Sequence, residues 1–296
     1  MSRLILSLSG GKDSAAAALF LREQGIDHER VFMDTGWEHP DLYAHLDYLE
    51  AQLGPITRLS PRMPVLPAEM LPRVEAIEAL VGCTPSGFVR WAVYKGMFPA
   101  RMRRWCTQEL KVDPFLRWID GEDVLNVVGI RAEESRARAG LAEREKMPGA
   151  EHIEVWRPLL RWSEADVIAI HTRHSLAPCP LYLRGAARVG CWPCIMSNKG
   201  ELEQLTGDNR RVAAIRALEA LVGEIAATRR PEPPGLFQAP IPERTNEGLK
   251  YPCWPIDRVL EWARTARGGR QMRLGAWGDV DGCVRWGMCD TGTQRP

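Results

Sequence analysis

Apolar positions along the chain fall into short blocks that alternate between two periods. Leu4-Ile5-Leu6-Ser7-Leu8, Arg30–Met33, Ile56–Leu59, Val124–Val128 and Ile153–Trp156 are compact runs rich in Leu, Ile and Val, as expected of strands buried on both faces. Between them, apolar residues recur at helical spacing over Asp13–Gln24, Pro40–Leu53, Val74–Val81, Gly87–Lys95 and Thr107–Ile119. A helix is predicted from Ser163, as N-cap, to His174. Helical spacing returns over Gly200–Arg230, with a break near Gly207, and over Ile256–Arg267. Strands that alternate with helices predict an α/β fold: a doubly wound, mainly parallel, Rossmann-like sheet with a mostly helical C-terminal extension. Proline-rich residues 60–73 and 231–255 read as irregular, and residues 268–296, rich in Gly, Trp and Cys, as a folded loop. The organisation predicted is an α/β domain over 1–160 and a helical, loop-rich region over 161–296 packed on it.

The first strand runs directly into Ser9-Gly10-Gly11-Lys12-Asp13-Ser14, and a helix rich in alanine follows. Strand, glycine turn and helix N-terminus together present backbone N–H groups to an anion. The glycines let the backbone come close, Ser7, Ser9 and Ser14 offer hydroxyls, and Lys12 adds a mobile charge suited to phosphate. Asp13 makes sense beside phosphate when Mg²⁺ lies between them. The spacing is not that of a Walker A loop.

The balanced composition, 45% hydrophobic and 26% charged in 296 residues, predicts an ordinary globular protein. No apolar run is long enough to span a bilayer and no signal-peptide pattern precedes the first strand, so the expected compartment is the cytoplasm. A net charge of +1 excludes broad attraction for nucleic acid. Arginine supplies 33 of the 39 basic residues, and Arg101-Met102-Arg103-Arg104, Arg136-Ala137-Arg138, Arg210-Arg211 and Arg229-Arg230 are local candidates for phosphate contact.

Eight cysteines stand at 83, 106, 179, 191, 194, 253, 283 and 289. In a cytoplasmic chain close spacing favours metal or redox chemistry over disulfides. Cys191-Trp192-Pro193-Cys194 can grip one metal ion or cluster, or act as a redox pair. Cys83 and Cys253 read as small hydrophobes.

The hexapeptide resembles the PP-loop of the adenine-nucleotide alpha hydrolase superfamily, whose members split ATP between the α and β phosphates. Further segments in the same order are similar to the phosphoadenylyl-sulfate and adenylyl-sulfate reductase branch. They are Asp34-Thr35-Gly36, the stretch Arg104–Pro114, Gly129–Arg136, Trp162–Val167, and Pro180-Leu181-Tyr182 with Arg188–Cys194. The resemblance implies adenosine contacts at Met33, Asp34 and Thr35, phosphate or substrate contacts at Lys111, Gly129 and Arg131, and catalysis by Lys12, Asp13 and Arg131. It also implies a [4Fe–4S] cluster on Cys106, Cys191 and Cys194, although Trp105 replaces one cysteine of the family's first pair. Cys179 is the expected fourth ligand, Cys283 and Cys289 are rivals, and zinc is the alternative metal.

Two departures bear on activity. Sulfonucleotide reductases have a degenerate first loop without Lys-Asp, and a tail Glu-Cys-Gly-(Leu or Ile)-His where this chain has Trp286-Gly287-Met288-Cys289-Asp290. The resemblance therefore points to an ATP pyrophosphatase that adenylates an acceptor for sulfur transfer, similar to those of DNA phosphorothioation systems. Nucleic acid would be the final acceptor, a cysteine desulfurase the sulfur donor, and the chain a homodimer or part of a complex. The alternatives are a sulfonucleotide reductase, and a nucleotide- and cluster-binding sensor subunit.

Overall fold

Six strands form a single sheet, in which the third, second, first, fourth, sixth and fifth along the chain lie side by side in that order. The strands are β1 (Arg3–Ser7), β2 (Glu29–Met33), β3 (Thr57–Leu59), β4 (Val124–Val128), β5 (Arg144–Met147) and β6 (Ala150–Trp156). The computed structural model describes residues 3–228, 234–246, 248–266 and Trp286. Every pairing in the sheet is parallel except β5 with β6. The chain leaves β1 toward β2 on one side, while β4 lies on the other, with Ser7 opposite Val128. The strand order thus reverses beside the C-terminal end of β1, where open α/β sheets form their ligand crevice.

Pleating explains why β1 reads as an unbroken apolar run. Ile5 packs into one core with Val31, Val124 and Ile153, and Leu6 into another with the helices on the opposite face. The second core takes in α1 (Lys12–Glu23), α2 (Pro40–Leu53) and α8 (Glu164–Arg173). Ala15, Ala16, Ala17 and Ala18 are at most 1% exposed, and their small side chains let α1 lie close to its neighbours. A third core joins α3 (Leu71–Val81) and α4 (Gly87–Lys95) to α10 (Lys199–Leu205), α11 (Asn209–Ala227) and α12 (Ile256–Ala263).

Several elements differ from their sequence-based expectation. The helix predicted over 107–119 is three consecutive segments, α5 (Trp105–Thr107), a π-helical turn over Gln108–Val112 and α6 (Asp113–Ile119). Such a turn inside an α-helix frequently marks a functional position, and it carries Lys111. Short helices α7 (Arg136–Ala139) and α9 (Pro180–Leu183), and the edge strand β5, are each four residues long, too short to show a period. The break near Gly207 occurs where predicted, with Asp208 accepting from the Arg211 N–H at 2.9 Å to cap α11. Within the stretch read as irregular, Phe237–Gln238 pairs with Cys253–Trp254 and Glu243–Thr245 with Gly248–Lys250, all antiparallel. The predicted loop over 268–296 lies outside the described residues apart from Trp286.

Burial of His45, 5% exposed on α2, lowers its pKa to about 4, with His171 adding to the effect. The unfolded chain, with an ordinary imidazole near 6.5, then binds the proton more tightly, so stability falls as pH drops from about 6.5 toward 4. This group alone costs about 2 kcal/mol at pH 5. Chemical denaturation at pH 7 and pH 5 is expected to show that loss, and His45→Gln to flatten the slope.

Candidate active site

Residues 8–11 turn sharply between β1 and α1. Gly10 has φ +75°, and a Cβ there would stand 2.5 Å from Leu42 Cδ1; the position thus demands glycine for both conformation and space. Ser14 ties the turn together: its Oγ accepts from the Ser9 N–H at 3.1 Å and donates to the Gly11 carbonyl at 3.0 Å. Gly11 caps α1 with no side chain of its own; its N–H donates to Ser9 Oγ at 3.4 Å, so within the turn the amides are tied to hydroxyls.

Lys12 is 7% exposed. Its ammonium lies 3.4 Å from Glu164, 3.7 Å from Asp13 and 3.3 Å from the Ala187 carbonyl, above the Tyr182 ring. Its backbone is held as well. The Lys12 N–H donates to Tyr182 Oη at 3.1 Å, and its carbonyl pairs with His171 Nε2 at 2.9 Å. Asp13 meets Arg131 Nε at 2.5 Å. That guanidinium, on the segment after β4, also contacts Glu133, while Glu134 accepts from the Arg131 backbone N–H. Gly129 permits the approach, since a Cβ there would lie 2.5–2.6 Å from the backbone of Asp13 and Ser14. The fold thus brings Ser9, Gly10, Gly11, Lys12, Asp13, Ser14, Gly129 and Arg131 to one sheet edge. Ser7 stands just below, donating to Asn126 Oδ1 at 2.9 Å.

Tyr182→Phe leaves a buried N–H without its acceptor and is expected to cost about 1–3 kcal/mol. A thermal melt beside wild type checks this.

A second cluster forms at the C-terminal end of β2. Asp34 accepts from the Gly36 N–H at 2.8 Å and from the Tyr43 hydroxyl at 2.7 Å. Thr35 donates to Glu38 at 2.7 Å, and Glu38, 3% exposed, also accepts from the Trp37 N–H and the Tyr43 hydroxyl. Met33 packs against the core on the other face of the sheet. Burial raises the pKa of Glu38, the nearby ammonium of Lys111 opposing it. Cys191 Sγ is 3.9 Å from both Glu38 and Thr35. Around Lys111 gather Cys191, Glu38, Cys194 and Cys106, which raise its pKa, Cys191 most, against the cost of burial. Burial pushes the Cys191 thiol up to about 12 and raises Cys106 as well.

Cys179 stands apart from these thiols. It is 1% exposed in the core beneath α1 and α2, its thiol pushed up to about 11 by burial, with Asp41 and Arg184 as its charged neighbours. Expected as a fourth ligand, it is not brought to Cys106, Cys191 and Cys194. Cys283 and Cys289 lie outside the described residues. Among the described residues no three Cys, His, Asp or Glu side chains stand close enough together to hold a metal ion. A cube cluster takes four thiolates. The described residues alone do not supply that set, for the cube or for a four-coordinate zinc.

The model of the phosphoadenosine phosphosulfate reductase domain matches residues 3–70 and 77–197. The chain belongs to this reductase-domain family. The chain is 34% identical to an uncharacterized 37.8 kDa protein from the gpa 5′ region of Escherichia phage 186, over 97% of this chain and 96% of that one. It is 32% identical to the adenosine 5′-phosphosulfate reductase of Allochromatium vinosum, over 44% of this chain and 54% of the relative. A crystal structure of phosphoadenylyl-sulfate reductase from Candida auris superposes with a TM-score of 0.48 at 19% identity, covering 66% of this chain and 83% of that chain. The matched segment holds the PP-loop, Arg131, Lys111 and the Cys-x-x-Cys pair. No helix among the described residues is long and apolar enough to cross a membrane.

Sequence reasoning missed Glu38, His171 and Arg211 as parts of these clusters. Arg211, 2% exposed, donates to the Glu38 carbonyl at 3.0 Å and lies 4.7 Å from the centre of the Trp37 ring. It comes from α11, far along the chain, so no local motif could have linked it to Glu38.

Proposed function

We propose that this family member cleaves ATP between its α and β phosphates, releasing pyrophosphate and transferring AMP to an oxygen of an acceptor that sulfur then displaces. The observation that carries this is the complete Ser9–Ser14 loop, with Lys12 and Asp13 held beside Arg131 at the crevice. Lys12 and Arg131 oppose the charge that builds on the departing pyrophosphate. Ser9, Gly10, Gly11 and Ser14 surround the phosphates, Gly129 keeps the floor open, and Met33, Asp34 and Thr35 border the adenosine. Mg²⁺ would be held by Asp13 together with nucleotide phosphates, shielding their charge.

In this reading residues 1–160 bind the nucleotide, and 161–296 bring Cys191 and Cys194 to Cys106 and Lys111. Nucleic acid is the acceptor, and a cysteine desulfurase or similar protein supplies sulfur. Lys111 stands among Cys191, Cys194 and Cys106 beside the crevice. The compartment is cytoplasmic. Labelled ATP incubated with anaerobically purified protein tests the reading: AMP and pyrophosphate are expected in equal amounts, and no turnover with any acceptor tried would overturn it.

The relatives named as adenosine 5′-phosphosulfate reductases favour a second reading, reduction of a sulfonucleotide. Its signature is thiol-dependent sulfite release from adenylyl sulfate, lost in Cys289→Ser.

A further inference from the structure

A cleft of about 1060 Å³ opens beside the thiol cluster and takes no part in the nucleotide site. Its walls are the loop 97–103 between α4 and α5, the segment 195–202 that follows Cys194, and the ribbon around 236–240, with α12 beneath. None of the described lining residues is Asp or Glu, in a chain that has 38 of them. Arg101 and Arg103 lie on its lip, exposed, with no acidic partner for either guanidinium among the described residues. Beside them Met102 is 98% and Tyr251 55% exposed. Deeper in, Phe98 and Phe237 supply buried apolar surface.

The geometry points to this cleft as the groove for a single-stranded nucleic acid, its phosphates on Arg101 and Arg103 and a base against Tyr251. A cleft whose described lining has guanidinium groups on its lip and no carboxylate selects an anion, and large apolar and aromatic surfaces beside them select one that carries flat rings. Its volume stands at the top of the range for small-molecule pockets, which suits a segment of strand better than one more mononucleotide. A duplex hides its base faces and would leave Tyr251 without a partner. Ile195 on the cleft wall adjoins Cys194, so a strand lying there passes close to the thiols. The inference rests on the proposed sulfur transfer only in making the strand an acceptor; the binding itself needs no ATP.

The test is fluorescence anisotropy of labelled oligo(dT) and oligo(U) twenty-mers with the full chain, without ATP, across a salt series. We expect binding of at least one. The double variant R101E/R103E should weaken it at least tenfold and flatten the plot of log affinity against log salt by about 1.4, at 0.7 per lost phosphate contact. Tyr251→Ala, at an exposed site that does not threaten folding, should weaken it about fivefold or more. Preference for one oligonucleotide tells DNA from RNA. Binding that is absent, equal on a duplex of the same length, or unmoved by these substitutions overturns the groove. So does a dimer in sedimentation that R101E/R103E splits while no oligonucleotide binds, which gives the cleft to a second copy. Pyrophosphate release, measured on the same wild-type preparation, separates the two ideas: release without strand binding sinks only the groove, and strand binding without release sinks only the pyrophosphatase.

Discussion

Lys12→Ala is expected to lower pyrophosphate release about 10²- to 10³-fold, the loss typical of deleting one preorganised charge-stabilising donor. The ammonium stands where the helix start and the glycine turn converge, and its neighbours Asp13, Glu164 and the Ala187 carbonyl hold it in the crevice. Folding should survive the change. Lys12 opens α1, where alanine is a good helix former, and the ion pair with Glu164 involves a carboxylate that is 31% exposed and can be hydrated instead. The backbone contacts to Tyr182 and His171 do not depend on the side chain. Coupled pyrophosphate detection on the variant, with circular dichroism to check its fold, gives the result. Release at the wild-type rate would remove Lys12 from the chemistry and with it the proposed function.

Gly129→Ala should damage both stability and nucleotide binding. The added methyl would lie 2.5 Å from the Asp13 carbonyl oxygen and 2.6 Å from the Ser14 nitrogen, main-chain atoms that cannot turn aside as a side-chain tip can. The segment after β4 must move away from α1, which takes Arg131 from Asp13 and opens the crevice. Overpacking of this kind costs about 1–3 kcal/mol, and the expected readings are a melting temperature lower by several degrees and a weaker ATP-analogue titration. An unchanged melt together with unchanged affinity would show that the two segments are not rigidly opposed. Gly121→Ala is a useful control: its added Cβ meets nothing within 4 Å, so crowding plays no part there, although its φ of +79° still carries strain.

The parallel sheet, helices α2 and α4 to their last residues, and the placement of the PP-loop between β1 and α1 were legible in the chain. Each depends on interactions within a short window. Apolar runs report strands buried on two faces, Ser163 signals a helix start through its own hydroxyl and Asp166, and the glycine turn needs only its immediate neighbours. The edge strand β5 was illegible because its partner β6, not its composition, makes Arg144–Met147 extended. The π-helical turn at Lys111 was equally hidden, since nothing in Gln108–Val112 departs from an ordinary helical composition.

The thiols show where local reading stops. Cys179 is near Cys191 in sequence, which suggested a shared site, yet α9 begins at Pro180 and carries the chain through the core beneath α1 and α2 before it returns to Gly190. Conversely, Glu38 and Cys191 are far apart in sequence and form a β-bridge.

By itself, the amino-acid sequence determined the fold class and the chemical kind of the first loop, because strand and helix periods and a glycine-lysine turn are short-range properties. Only the tertiary structure decided which charges face one another: Arg131 on Asp13, Lys111 among Cys106, Cys191 and Cys194, Arg211 behind Glu38, and Arg101 and Arg103 on the lip of a cleft. Those juxtapositions arise where the ends of separate strands and distant helices pack together, and chain order carries no signal for them.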